Sequence, residues 1–257
     1  MRSRSAAVPM AAYVLHQYDW SESSLIVDLF TREAGRVVVA AKGAKRPTSQ
    51  LRAVLMPFQR IAISFSRPAH DESAGEVHNL RGAEWAGGPA PRGGDALLAG
   101  FYLNELLLKL LARDDPHPAL WDAYAATLPG LGGADEAAAL RAFELVLLAE
   151  TGHLPDLAHV TATLEPVDAA RRYQLRPEAG LVAGAHEADA TLAGGDCAAL
   201  QAALSARDLE ALRGACRGCE PALRRQLRQW LAYHLGSATL RTRDLVRELQ
   251  YLTPPSR

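Results

Sequence analysis

The stretch AGGPAPRGG, Ala86 to Gly94, separates two parts of the chain with different hydrophobic periods. Before it, QRIAISFS places Ile61, Ile63 and Phe65 on one face, the period of two of a half-buried strand. After it, DALLAGFYLNELLLKLLAR is apolar nearly all round, as in a helix buried at the centre of a domain. Glycine and proline dominate the break itself and mark a linker or sharp turn. Strands followed by helices, without alternation, predict an α+β chain of more than one domain.

Besides QRIAISFS, the runs AAYVLHQYDW, SLIVDLFT, GRVVVAA and EVHNLRGAEW read as strands. Five short strands in residues 1–85 predict a small barrel or sandwich. The five-stranded OB-fold, a frequent nucleic-acid binder, is one candidate. Residues 86–257 read as one mainly helical domain. There PALWDAYAATLPG and DEAAALRAFELVLLAETG keep the helical period, the second stopping at Gly152. Residues 155–185 form a small irregular insertion, in which RRYQLRPEAGLVAG predicts a hairpin turning at Pro177–Gly180. Helices resume near Asp189. PALRRQLRQWLAYHLG is expected to begin with Pro221 in the favoured first turn and to stop at Gly236. A last short helix, TRDLVRELQYL, takes Thr242 as its N-cap.

A formal net charge of −1 conceals an uneven distribution. Arg32 to Arg67 carries eight cations against Glu33, and Arg213 to Arg247 carries eight arginines against Glu220 and Asp244. Residues 82–212 hold eight cations and nineteen acids. Two basic segments around an acidic middle point to a polyanionic partner. Twenty-five of the 28 basic residues are arginine, which grips phosphate bidentately and stacks on bases. A GC-rich genome would produce the same bias.

The basic strip AAKGAKRPTSQL, Ala40 to Leu51, connects two strands. Gly43 permits backbone angles that other residues resist, and Pro47 forbids helix continuation. Lys42, Lys45 and Arg46 supply charge, Thr48 and Ser49 supply hydroxyls, and Arg32, Arg36 and Arg52 flank them. Phosphate-backbone contact needs that mixture. A solvated loop that protects a sheet edge would look the same. The spacing is not that of a Walker A loop. A second basic face groups Arg224, Arg225 and Arg228 at i, i+3 and i+4 separations, opposite Leu223, Leu227, Trp230, Leu231 and His234. Arg241, Arg243 and Arg247 follow it. This face suits a second strand, an acidic hydrophobic peptide, or plain solvent. Bases stack on aromatic rings, and the candidates are Tyr13, Tyr18, Trp20, Phe30, Phe58 and Phe65. Phe30 and Phe65 read as core; Tyr18 and Trp20 lie at a strand end.

Catalytic patterns are lacking: there is no HExxH, GxSxG or paired metal-ligand spacing. Asp114, Asp115 and His117 in DDPHP read as an inter-helix loop rather than a metal site. The three cysteines, Cys197, Cys216 and Cys219, do not form a disulfide framework and suit a cytoplasmic protein. The single CxxC has no second pair or neighbouring histidine, so it reads as incidental. No apolar run reaches the roughly 20 residues of a membrane span. MRSRSAAVPMAAYVL lacks the sustained apolar core of a signal peptide.

Residues 12–58, from AYVLHQYDWSESS through VVVAAKGAKRPTSQ to VLMPF, resemble the N-terminal barrel of the bacterial recombination mediator RecO family. FELVLLAETGHLP resembles the end of that family's FE-LL helix, and LAYHLGSATLRTRDLVRELQ its C-terminal signature. The resemblance implies an OB-fold followed by a helical domain. It implies a cytoplasmic, nucleoid-associated protein without enzymatic turnover, which binds single- and double-stranded DNA and anneals complementary strands. It also implies help in loading RecA, together with RecR, onto strands coated by single-stranded DNA-binding protein. Positions matching the family's basic run are Lys42, Lys45 and Arg46. Many members carry four cysteines as a zinc knuckle after the FE-LL helix. LPDLAHVTATLEPVDAARRYQLRPEAGLVAG has none, so no zinc is expected and the hairpin is expected to remain. An RNA-binding OB protein and a protein-binding scaffold are the alternative readings, and a metal-dependent hydrolase is the weakest.

Overall fold

Five strands form where the alternating runs predict them: β1 (Met10–Asp19), β2 (Leu25–Thr31), β3 (Gly35–Ala41), β4 (Arg60–Ser66) and β5 (Val77–Trp85). The structure is a computed structural model that describes residues 9–66, 77–88, 93–184, 191–236, 240–242 and 244–245. The strands close into a barrel of order β1-β2-β3-β5-β4, with the short helix α1 (Leu51–Val54) between β3 and β4. β3 and β5 run parallel; the other neighbours are antiparallel. This is the OB-fold connectivity. The pairing register of β1 shifts between Val14 and His16, a bulge of the kind that bends a strand. β1 thereby pairs with β4 at one end and β2 along most of its length. The period of two sends Val14, Val27, Leu29, Val37, Val39, Ile61 and Ile63 into one core.

The opposite faces of β1, β2 and β3 are buried as well. Tyr13, Asp28, Phe30, Val38 and Ala40 are all shielded from water. The end of helix α2 (Asp95–Leu110) and the start of helix α3 (Pro118–Thr127), both within Leu106–Asp122, explain part of this. The chain divides into two compact units, one of Met1–Pro91 with Leu106–Asp122, the other of Arg92–Glu105 with Ala123–Arg257. In the first, Leu106–Asp122 lies on the barrel. The Asp114 N–H donates to the Arg36 carbonyl at 2.9 Å, and Arg36 and Arg113 form a parallel bridge. Trp121 donates its Nε1–H to the Phe30 carbonyl at 3.1 Å. Its ring lies 5.3 Å from that of Tyr13 and 5.5 Å below the Arg60 guanidinium.

In the second unit, α4 (Glu136–Glu150) packs along α6 (Leu209–His234), and α5 (Gly194–Ala206) packs on α6 as well. Gly152 takes φ +71 just past α4, as expected of a stop. The predicted hairpin is present: β6 (Arg172–Arg176) pairs with β7 (Gly180–Ala183), and β8 (Leu192–Ala193) pairs with β6. Hydrogen bonds hold the insertion. Thr161 bonds Leu181 through both backbone and hydroxyl, and the buried Gln226 of α6 accepts the Leu175 N–H at 2.8 Å.

Three local expectations are corrected. Pro221 does not start a helix; it lies inside α6, two residues after a break at Cys219 (φ −128°, ψ 15°). Proline removes an N–H and crowds the preceding turn, and one non-helical residue absorbs the conflict. The first residues of that helix are instead capped by Asp208, which accepts the N–H groups of Glu210 and Ala211. Thr242 is not an N-cap: its hydroxyl and N–H both donate to the Glu105 carboxylate, at 2.7 and 3.0 Å. The helix expected near Asp189 begins at Gly194, and Asp189 itself lies outside the described residues.

The core of this unit contains a charged network. Arg141 pairs with the buried Glu144, Glu144 accepts the Tyr102 hydroxyl, and Glu220 lies 3.6 Å from Arg141. Burial lowers the pKa of the Arg141 guanidinium, but the charges of Glu144, Tyr102 and Glu220 outweigh it and hold the group above its ordinary value. His234 packs against Trp230 and His153, and burial followed by His153 lowers its pKa.

Candidate nucleic-acid interface

The strip after β3 is folded tightly against the β1–β2 turn. Gly43 takes φ +74, which lets the buried Ala44 plug the barrel core. The Lys45 N–H donates to the Ser23 carbonyl at 3.0 Å, and the Gly43 N–H to the Ser24 hydroxyl at 3.3 Å. Within the strip, Arg46 N–H bonds Gly43 and Ser49 N–H bonds Arg46. What composition presents as a mobile loop is therefore a hydrogen-bonded rim.

Its cations fall into three groups. Arg36 is committed internally: it donates to Asp28 at 2.9 Å and to the carbonyls of Leu108 and Leu111 at 2.8 and 3.2 Å. Those carbonyls lie at the end of α2 and just beyond it, so Arg36 caps the helix. Arg36 is thereby held by the protein's own carboxylate and carbonyls. Arg32 forms a bidentate pair with Asp122, and Lys45 reaches Asp19 at 3.0 Å and the Ser21 carbonyl at 3.1 Å. Both pairs are open to solvent, which weakens them, so a phosphate can displace them. Lys42, Arg46 and Arg52 are exposed and make no ion pair among the described residues.

On α6, Arg224, Arg225 and Arg228 are exposed while Leu223, Leu227, Trp230 and Leu231 are buried, the predicted division of faces. Arg241 is exposed and its N–H donates to Glu105. Arg243 and Arg247 lie outside the described residues. Arg213 and Arg217 of the same basic segment pair with Glu210 and Asp135.

Among the aromatic candidates, Phe30, Phe58 and Tyr13 are buried, and Phe65 packs against the barrel core. Tyr18 is half exposed, and its ring packs edge-on to His16. Burial, then the Asp28 carboxylate, raises its phenol pKa. Trp20 is 55% exposed. Trp85, which the sequence reading passed over, is also exposed, at the end of β5. Strand alternation does not reveal it, because the last residue of an edge faces whichever neighbour the fold supplies.

In the DDPHP segment Asp114 pairs with His78 of β5 at 3.1 Å and Asp115 with His117 at 3.5 Å. Among the described residues, no three His, Cys, Asp or Glu side chains converge on a metal-sized site. Cys197, Cys216 and Cys219 are buried thiols. Burial pushes Cys197 and Cys219 up to about 12 and raises Cys216 as well. Since the thiolate is the reactive form, the folded protein should not react with Ellman's reagent, and all three thiols should react in denaturant. Rapid modification of even one thiol without denaturant would contradict that burial.

The barrel, its cationic rim and the mainly helical second unit define an OB-fold protein with a helical C-terminal unit that carries a small sheet. Residues 7–86 match the family described as Recombination protein O N terminal, and residues 92–244 match Recombination protein O C terminal. Curated relatives named DNA repair protein RecO occur in Variovorax paradoxus (51% identical), Acidovorax ebreus (50%) and Delftia acidovorans (50%), each match covering 94% of this chain and 96% of the relative. The chain belongs to the RecO family.

Proposed function

We propose that this protein acts in DNA repair and recombination by holding DNA on the cationic rim of its barrel. Membership of a family whose curated members are named for DNA repair supports the general role. The observation that carries the finer reading is the fixed exposure of Lys42, Arg46 and Arg52 beside the displaceable Arg32 and Lys45. In this reading residues 1–85 are the nucleic-acid-binding domain and 86–257 the helical domain, with 155–185 a knuckle-like insertion that uses hydrogen bonds in place of metal. The protein binds single- and double-stranded DNA, and cations along both backbones screen their repulsion so that complementary strands anneal. It helps load RecA, with RecR, onto strands coated by single-stranded DNA-binding protein, without enzymatic turnover. The arginine face of Arg224, Arg225, Arg228, Arg241 and Arg243 takes a second strand or the acidic tail of the coating protein. This work belongs in the cytoplasm, at the nucleoid; no helix among the described residues is long and apolar enough to cross a membrane.

The test is annealing of complementary oligonucleotides with and without their coating protein, beside salt-dependent binding. Each phosphate contact contributes about 0.7 to the slope of log K against log salt for single strands. Alanine at Lys42, Lys45 and Arg46 together is expected to flatten that slope by about 2 and to slow annealing. An unchanged slope removes the rim from the interface. No DNA retention by the intact protein at low salt removes the function.

A further inference from the structure

We propose that a single strand crosses the barrel at the rim between the β1–β2 turn and the strip after β3, with Trp20 stacking on a base, and not across the outer face of β2 and β3. This rests on the DNA-binding reading above and adds the place and the side chain. OB-folds commonly present the β2–β3 face and the adjoining loops to a polymer. Here that face is closed by the protein's own chain. Phe30 and Asp28, outward on β2, are buried under contacts with Trp121 and Arg36, and Arg36 in turn holds the carbonyls of Leu108 and Leu111. Gly35 meets the backbone of Asp115 so closely that a Cβ there would lie 1.9 Å from its carbonyl oxygen. Bases have no room to lie on that surface.

The rim offers what the face lacks. Trp20 and Ser21 turn back to the Ser24 carbonyl, each N–H at 3.3 Å, and Ser23 and Ser24 hold the strip that carries Lys42 and Arg46. An exposed indole and two exposed cations therefore stand on one hydrogen-bonded platform. The turn also carries two exposed acids, Asp19, which pairs with Lys45, and Glu22. Stacking works only on an unpaired base, so Trp20 reads single strands and is indifferent to duplex.

Binding of oligo(dT) and of a blunt duplex to the full protein tests this. Trp20→Ala should weaken oligo(dT) binding about 10-fold, leave its salt slope intact, and leave duplex affinity unchanged. Trp20→Phe should restore most of the loss. A second measurement does not depend on the folding of those variants. In Trp85→Phe, Trp20 is the exposed indole, since Trp121 and Trp230 are buried. Its emission should be quenched by oligo(dT) and not by duplex. Unchanged oligo(dT) affinity in Trp20→Ala, an equal loss on both DNAs, or absence of quenching overturns the proposal. The general DNA-binding reading survives those results, because it fails only if the intact protein retains no DNA or the cation variants keep the wild-type salt slope.

Discussion

Arg141→Ala lowers the unfolding free energy of the protein by about 3–5 kcal/mol, measured as a shift in urea midpoint at unchanged slope. The size follows from what is left behind. Glu144 is 1% exposed and holds Arg141 and Tyr102. Without the guanidinium its charge is buried with one hydroxyl for company and no cation. Attraction between the partners is not the main term, because desolvation offsets it. A double variant separates the two. Arg141→Met with Glu144→Leu removes both members of the buried pair and leaves Glu220, whose side chain is 20% exposed although its Oε1 is buried, as the remaining charge. This pair should recover most of the stability that Arg141→Ala loses. If the double variant is as unstable as the single one, the loss comes from packing volume and not from a stranded carboxylate.

Gly35→Ala is expected to cost about 2–5 kcal/mol, the sum of left-handed strain of about 1–2 and steric overpacking of about 1–3. Gly35 has φ +69, and the added Cβ would collide with the Asp115 carbonyl. Backbone cannot swing aside as a side chain does, so either β3 bends or the segment Leu106–Asp122 lifts. Lifting would take Trp121 off the Phe30 carbonyl and shift its emission to longer wavelength. Gly43→Ala is the control. Its φ is +74, yet its Cβ would meet only the flexible Arg46 side chain at 3.6 Å. It should lose only the strain of about 1–2 kcal/mol. Equal losses at the two glycines would mean that the segment does not rest on β3 in solution.

Most of the barrel is legible in the sequence because it is built from a local code. Alternation in QRIAISFS produces β4 within a residue of the expected bounds, since period two leaves one register that buries Ile61 and Ile63, and the continuous apolar run of GRVVVAA produces β3, which is buried on both faces. Turn chemistry at Pro177–Gly180 marks the β6–β7 hairpin for the same reason. Pro221 misleads because proline has two uses, opening a helix or kinking one, and the residues before it decide between them. The site is only half legible. Lys42 and Arg46 stand where the basic run places them, but Arg36, in the same run, is turned inward by Asp28 and by carbonyls some seventy residues away (separations of 72 and 75).

Sequence by itself determined the class of this protein: a β-rich part, a break, a helical part, cations at both ends and a family signature running through them. Periodicity and charge are properties of neighbours along the chain, and they survive without knowledge of the fold. Tertiary structure alone decided which cations are open, which aromatic ring is presented, and that the barrel's β2–β3 face is closed by Leu106–Asp122. Those outcomes depend on pairs such as Arg36 with Leu108 and Phe30 with Trp121. Their sequence separation leaves no periodic trace, and burial and carbonyl partners remove a guanidinium from solvent only once the chain has closed.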